Sequence, residues 1–245
     1  WARQSAQLQG PAWSTLTIGL ASTLGALVLT LACLVNETRR PAGRSSPGSP
    51  GSAGCAGSAG SAGDLTGAAG AGRSAPSVLW LLYLPLLVPQ VAFLFGLQVL
   101  LVRAGLDGRW AAVVWAHLVF VLPYLFLSLA DPWRSFDARY ARAAASLGAS
   151  PWRVFWRVKL PILLPPTLIA CAVAFAVSVG QYLPTLFAGA GRVVTLTTEA
   201  VTLSSGADRR VIGVWAVLQA LLLMLAYLLA AWLPRWLHAH RQGAT

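Results

Sequence analysis

The amino-acid sequence predicts an all-α, polytopic membrane protein, and two observations lead to that fold class. The first is composition: 57% of the 245 residues are hydrophobic, 10% are charged and only seven are acidic, whereas soluble domains carry about 25% charged residues. The second is pattern, because five uncharged runs reach the roughly 20 residues that a helix needs to cross a bilayer. Those runs are residues 13–35, 77–102, 110–130, 161–187 and 211–234.

Basic residues predict how these helices are oriented. If residue 1 lies outside, twelve of the 18 lysines and arginines fall on the cytoplasmic side and six on the outer side, in agreement with the positive-inside rule. Four of the twelve lie in one long loop and carry less weight, and the inverted topology is the alternative. The segment 131–160 is therefore predicted to be a cytoplasmic loop.

The part of the chain before the second run divides into three pieces. Residues 1–12 form a short outer segment and 13–35 the first span; no signal peptide is visible, which predicts a missing start or a piece of a longer polypeptide. Residues 36–76 are rich in Gly, Ser, Ala and Pro. Such a composition cannot bury enough apolar area to offset chain entropy, so we expect a low-complexity cytoplasmic linker without chemistry.

Prolines mark two of the later spans. Pro85 and Pro89 lie in the span 77–102, and Pro165 and Pro166 in the span 161–187. Because proline removes a backbone donor, kinks or a late helix start are expected there. The span 110–130 lies between them and is predicted to end at Asp131-Pro132.

The loop 131–160 has the signals of two short helices joined by a turn. Alanines favour a helix over residues 136–147, and Gly148 is placed to end it in a left-handed conformation. Ser150-Pro151 then supplies an N-cap and a first-turn proline for a second short helix. The product is an elbow with small residues and basic flanks, which a groove on a partner could approach closely.

Polar residues near the outer end of the span 161–187 are candidates for a translocation path or gate. Gln181 lies 20 residues after Pro161, or about 30 Å along an unbroken helix. Ser178, Gln181, Tyr182 and Thr185 follow at intervals that let them share one helical face. A polar side chain at this depth usually faces a bundle interior or a water-filled path, and interhelical hydrogen bonding is the alternative.

Three segments complete the chain. Residues 188–210 form an outer segment with many Thr and Ser residues, residues 211–234 the fifth span, and residues 235–245 a cytoplasmic tail. The outer segment, which contains Glu199, is expected to meet a soluble partner or line a vestibule, or else to be a solvated connection.

Signals for catalysis, metal binding and nucleic-acid binding are missing. The sole lysine, Lys159, is followed by Leu160, so no phosphate-binding Gly-Lys-Ser/Thr loop exists. His117, like the tail histidines, is assigned to packing or surface positions, and the cysteines at 33, 55 and 171 have no paired spacing. We expect no catalytic residue and no metal site, and the scattered basic residues do not form a nucleic-acid stripe.

Residues 142–161 resemble the cytoplasmic EAA loop of the permease subunits of binding-protein-dependent ABC importers. The family pattern is Glu-Ala-Ala, three residues, Gly, nine residues, then Ile, any residue and Leu-Pro. This sequence matches it at Ala143, Ala144, Gly148, Leu160 and Pro161, with Val158 for Ile. Arg142 stands where the family has Glu, so the docking role of the loop carries over but a specific salt bridge does not.

A second stretch extends the resemblance. Residues 175–182 are similar to a segment of permeases for thiamine, ferric iron, polyamines, sulfate and molybdate, with Gln181 in place of the usual acid. Residues 181–212 most resemble an uncharacterised bacterial branch in which two permease halves are fused, which implies that this chain is the C-terminal half.

The resemblance implies a fold, a function and partners. The fold is a five-transmembrane-helix ABC importer permease core of the MetI-like type in the bacterial inner membrane, with periplasmic segments 1–12 and 188–210. The function is inward transport of a small solute by alternating access. The partners are a dimer of ABC ATPase subunits that binds the ATP and Mg, a second permease half, a periplasmic substrate-binding protein and the lipid bilayer. An ATP-independent channel or secondary carrier is the alternative, and an exporter permease or membrane anchor a third.

Overall fold

The computed structural model describes residues 2–39, 78–204 and 209–242. Within these ranges the chain is helical and contains no strand, which confirms the all-helical fold class. The helices are α1 Ala2–Arg39, α2 Val78–Leu87, α3 Gln90–Arg103, α4 Trp110–Arg134, α5 Ala138–Ser146, α6 Pro151–Val154, a π-helical turn Phe155–Lys159, α7 Leu160–Gly180, α8 Leu183–Gly189, α9 Leu196–Ser204 and α10 Arg209–Gln242.

Four stretches of helix in the described residues are long and apolar enough to cross a membrane. They are Gln9–Glu37, Trp110–Arg134, Pro151–Gly180 and Ile212–Arg235. The helix α1 begins at Ala2, so the predicted outer segment 1–12 is helical from residue 2 onward. At its other end α1 extends to Arg39, three residues beyond Asn36, where the linker was predicted to start. The rest of that linker, including Cys55, lies outside the described residues.

The second predicted span is not one helix but two. The helices α2 and α3 are separated at Val88 and Pro89, and Pro89 has extended backbone angles of φ −51° and ψ 121°. Proline disfavours helical geometry in the residue before it and cannot donate to the preceding turn. The expected kink is therefore a complete break, while Pro85 is accommodated inside α2.

Helix extends past both predicted ends of the loop 131–160. The helix α4 continues through Pro132 to Arg134, because Trp133 is only 2% exposed and packs in the core, which holds the last turn in place. At the other end, helix runs continuously from Pro151 to Gly180, so the helix that contains the predicted fourth span begins before Pro161. The π-helical turn before Pro161 widens the helix and makes room for a ring that lacks a donor.

The core is built by α1, α4 and α7, which pack against one another, and α10 packs on α7. One apolar cluster contains Leu125, Phe126 and Trp133 of α4 with Leu163 of α7. A second cluster near the opposite end joins α1, α3, α4 and α8. Glycine lets α1 approach closely, because a Cβ at Gly19 would lie 2.7 Å from the Phe175 ring. Small residues at such contacts are typical of packed membrane helices.

Candidate functional site

The predicted elbow forms between α5 and α6, and local capping explains its shape. The Asp137 side chain accepts a hydrogen bond from the Arg139 amide at 2.8 Å, which caps the start of α5. Gly148 has φ +78°, so the left-handed turn predicted there is confirmed. The Ser150 hydroxyl accepts from the Arg153 amide at 3.4 Å, with Pro151 in the first turn of α6, as predicted.

The elbow is an exposed surface of mixed apolar and basic character. None of the residues of α5, α6 or the π-helical turn is buried. Leu147 is 88% exposed and Trp152 66% exposed, and the basic side chains around them are also exposed: Arg139, Arg142, Arg153 and Arg157. Exposed apolar patches with a polar rim are typical of protein interaction sites.

The predicted coupling residues fall in two places on this surface. Arg142, Ala143 and Gly148 are exposed on the elbow, and Ala144 is half-buried there. Leu160 and Pro161 are half-buried at the start of α7, beyond the π-helical turn. The elbow and the base of the spanning helix are thus joined by one continuous stretch of helix.

The predicted translocation residues lie at a helix break, not along one face. The helix α7 ends at Gly180, Gln181 is extended with φ −78° and ψ 102°, and α8 begins at Leu183. Pro184 has no amide hydrogen for the Gly180 carbonyl, which favours this break. The expectation that Ser178, Gln181, Tyr182 and Thr185 share a single helical face is therefore wrong.

A buried histidine nevertheless brings two of these residues together. His117 Nδ1 lies 2.9 Å from Ser178 Oγ, and His117 Nε2 lies 2.8 Å from Thr185 Oγ1. Ser22 Oγ on α1 lies 3.0 Å from Ser178 Oγ. All four side chains are at least 97% buried. We call these four residues the His117 network; it connects α1, α4, α7 and α8.

The donor and the acceptor of each hydrogen bond to His117 can be assigned, and they correspond to a neutral imidazole. Thr185 donates its hydroxyl to the Gln181 carbonyl at 2.9 Å, so it accepts from His117 Nε2–H. The other nitrogen, Nδ1, then accepts from the Ser178 hydroxyl. The network thereby ties the backbone of the break at Gln181 to α4. Sequence reasoning gave His117 no role in a site, although an ionisable side chain within an apolar span is itself a signal.

Gln181 is placed differently from its neighbours. Its side chain is only 8% exposed. Neither Oε1 nor Nε2 has a hydrogen-bond partner within the described part of the chain. The carboxamide therefore keeps an acceptor and two donors that no described residue uses.

A cavity of about 730 Å³ lies between the break at Gln181 and the break at Val88 and Pro89. Its volume is in the range of small-molecule sites, roughly 300 to 1,000 Å³. The lining contains carboxamides and aromatic rings and no charged side chain. The lining residues are Pro85, Leu86, Leu87, Val88, Pro89, Gln90, Phe120, Tyr124, Val177, Gly180, Gln181, Tyr182 and Leu183.

The outer segment is partly helical and packs on the break. Thr197 Oγ1 donates to the Val179 carbonyl at 2.5 Å, one residue before the end of α7. The Leu196 amide donates to Thr15 Oγ1 on α1 at 2.9 Å. These threonines stabilise helix ends, and residues 205–208 of the predicted segment lie outside the described residues. The described residues contain no group of three or more His, Cys, Asp or Glu side chains placed to hold a metal.

Comparisons with known proteins agree with this architecture. Residues 66–241 match the family model described as binding-protein-dependent transport system inner membrane component. The chain is 44% identical over 165 residues to the inner membrane ABC transporter permease protein YnjC of Escherichia coli (strain K12), covering 67% of this chain and 32% of that protein. It is also similar to the molybdenum transport system permease protein ModB of Mycobacterium tuberculosis (strain ATCC 25618 / H37Rv), at 41% identity over 138 residues, or 51% of this chain and 52% of ModB.

A third relative is more distant. The spermidine/putrescine transport system permease protein PotC of Escherichia coli (strain K12) is 24% identical over 115 residues, covering 47% of this chain and 44% of PotC. The chain thus spans about a third of YnjC and about half of the mycobacterial ModB.

Proposed function

The chain belongs to the family of binding-protein-dependent transport system inner membrane components, and from that membership we propose that it acts as a permease subunit of an ABC importer. In this role it moves a small solute inward across the inner membrane by alternating access. A separate dimer of ABC ATPase subunits binds ATP and Mg and drives the cycle. A second permease half, which for this branch is fused in the same polypeptide, and a periplasmic substrate-binding protein complete the transporter.

The exposed elbow between α5 and α6 is the observation that carries this proposal. It presents Leu147, Trp152 and a basic rim to a partner, and α6 continues without interruption into the spanning helix up to Gly180. That continuous stretch has 30 residues, or about 45 Å at 1.5 Å per residue. An ATPase that moves the elbow therefore acts on the break at Gln181 through this stretch of helix.

The break at Gln181 is proposed as the translocation path or gate. Gln181 and Tyr182 line the cavity, so they take the contact role. Ser178 and Thr185 are buried against His117, so they hold the break in position. Arg142, Ala143, Ala144 and Gly148 on the elbow, with Leu160 and Pro161 at its base, form the proposed coupling surface.

Removing residues 143–148 tests the coupling role. The full-length permease should still insert in the membrane, but it should no longer bind its ATPase subunits or support ATP-dependent uptake. Leu147→Asp is a milder variant, because the side chain is 88% exposed and its loss leaves the core intact. Leu106→Asp, at an exposed leucine between α3 and α4, is the matched control.

The measurements are co-purification with the ATPase subunits and uptake of the solute that the cognate binding protein carries. Loss of both in the elbow variants, with both retained in Leu106→Asp, supports the importer. Undiminished uptake in the deletion variant contradicts it. Uptake that continues without any ATPase subunit would instead identify an ATP-independent channel or carrier.

A further inference from the structure

The coupling surface joins the membrane core through an irregular piece of helix. Between α6 and α7 the five residues Phe155–Lys159 form a π-helical turn, and the Leu160 amide bonds to the Phe155 carbonyl, five residues back. Single π-helical turns inside α-helices are uncommon and occur often at functional sites. A wider turn at this point is a place where the chain between elbow and core can bend.

Both ends of this turn contact the same buried ring. The Nζ atom of Lys159 lies 3.7 Å from the centroid of the Trp133 ring, and the Phe155 ring centroid lies 6.2 Å from that of Trp133. Trp133 is 2% exposed in the last turn of α4. A second ring, Phe136, lies 5.4 Å from Lys159 Nζ. No ion pair of Lys159 occurs among the described residues, so aromatic faces are its recorded partners.

Charge distinguishes Lys159 from an ordinary packing residue. A cation over an indole face is attracted by the ring electrons, and the attraction grows when the pair is shielded from water. Lys159 is half-buried and is the only lysine in a chain that otherwise uses arginine. Its ammonium group is carried on a flexible four-carbon stem, which lets the charge lie over the ring.

We propose that Lys159 is a positioning residue that fastens the π-helical turn to α4. When Lys159 holds the turn against α4, displacement of the elbow moves α4 and α7 together. Without this contact, the same displacement is absorbed by bending between Phe155 and Lys159. This inference rests on the proposed function, because it assigns a means of transmission between the docked ATPase and the break at Gln181.

A reporter cysteine on the far side of the core tests this transmission. In the full-length permease bound to its ATPase subunits, Cys33, Cys55 and Cys171 are replaced by Ala, and Leu186→Cys is introduced on α8, where the native side chain is 43% exposed. The rate of reaction with a small maleimide is measured without nucleotide and with ATP and Mg. The ratio of the two rates reports movement at the break.

Three variants of this reporter protein separate charge from packing. Lys159→Met keeps the apolar stem and loses the cation, and it should reduce the ATP-dependent ratio about two- to thirty-fold, the range expected for a cation–π contact. Lys159→Arg should stay within about two-fold of the parent, since guanidinium also binds aromatic faces. Arg103→Met removes an exposed cation from the last turn of α3, away from the elbow, and is the control.

The outcomes are decisive in each direction. A ratio close to one in Lys159→Met alone, with the ATPase still bound, supports the proposal. A residue that only stabilised the fold would not abolish the nucleotide response selectively. A parent-like ratio in Lys159→Met, or equal loss in Arg103→Met, overturns it while leaving the importer proposal standing. If the parent itself binds no ATPase and shows no response, both proposals fail. Should Lys159→Met not assemble, Lys159→Gln, which also lacks the cation, replaces it, and a parent-like ratio there also overturns the proposal.

Discussion

The His117 network gives the most quantitative prediction about the core. His117→Phe keeps a ring in the buried site but removes both nitrogens, and with them the contacts of 2.9 Å to Ser178 and 2.8 Å to Thr185. Interhelical hydrogen bonds of this kind contribute about 0.6 to 2 kcal/mol each in membrane proteins. We therefore expect the substitution to lower the free energy of unfolding by about 1 to 4 kcal/mol.

A double-mutant cycle assigns that loss to a specific contact. Thr185→Val removes the hydroxyl at nearly constant volume, and its coupling to His117→Phe should be about 0.6 to 1.7 kcal/mol. The measurement is loss of helical circular dichroism as the protein unfolds in mixed detergent micelles. Ser14→Ala serves as the control partner, because Ser14 donates to the Gly10 carbonyl within its own helix. If the His117 and Thr185 effects add within about 0.3 kcal/mol, the network does not join α4 to α8 energetically.

Two further predictions concern glycines. Gly19→Ala places a Cβ 2.7 Å from the Phe175 ring and should lower the free energy of unfolding by about 1 to 3 kcal/mol through overpacking. Gly10→Ala, with no atom within 4 Å, should not lower it. Equal loss of stability in both variants would refute the close-contact explanation. Gly148→Ala meets no atom within 4 Å but must adopt φ +78°, which costs about 1 to 2 kcal/mol. It should weaken ATPase binding about five- to thirty-fold in a titration, and Gly148→Asn should be milder because Asn tolerates that conformation; equal affinity in both variants would contradict this.

Local signals in the sequence predicted the elbow correctly because caps act over a few residues. The left-handed Gly148 and the N-cap at Ser150 depend on side chain and backbone groups within one turn, and no distant contact overrides them. The same holds for the five apolar runs, whose described residues are helical apart from the breaks at Val88 and Pro89 and at Gln181 and Tyr182. Composition and spacing were therefore sufficient for fold class and for the position of the exposed elbow.

Prolines were harder to interpret, because their effect depends on what their neighbours pack against. Pro89 separates two helices, whereas Pro132 lies inside α4 because the adjacent Trp133 is anchored in the core. Before Pro161 the chain forms a π-helical turn and the helix continues. Each outcome is set by burial and tertiary contact, and neither is visible in the residues that flank the proline.

The partners of His117 were inaccessible to sequence reasoning for a different reason. His117 bonds to residues 61 and 68 positions away in the chain, and no periodicity links an isolated histidine to a serine and a threonine on other helices. The four polar residues from 178 to 185 form a recognisable group in the sequence. The assumption of one continuous helix predicts that they share one helical face, but the helix break separates them.

The two interruptions at Val88 and Pro89 and at Gln181 and Tyr182 border the same cavity, and their pairing has a mechanical consequence. Short helices meet at both points, so rotating a few backbone torsions at each would change the volume of the cavity while the helix α4 stays intact. Opening and closing then breaks few bonds, and collective motions of that kind occur in microseconds to milliseconds.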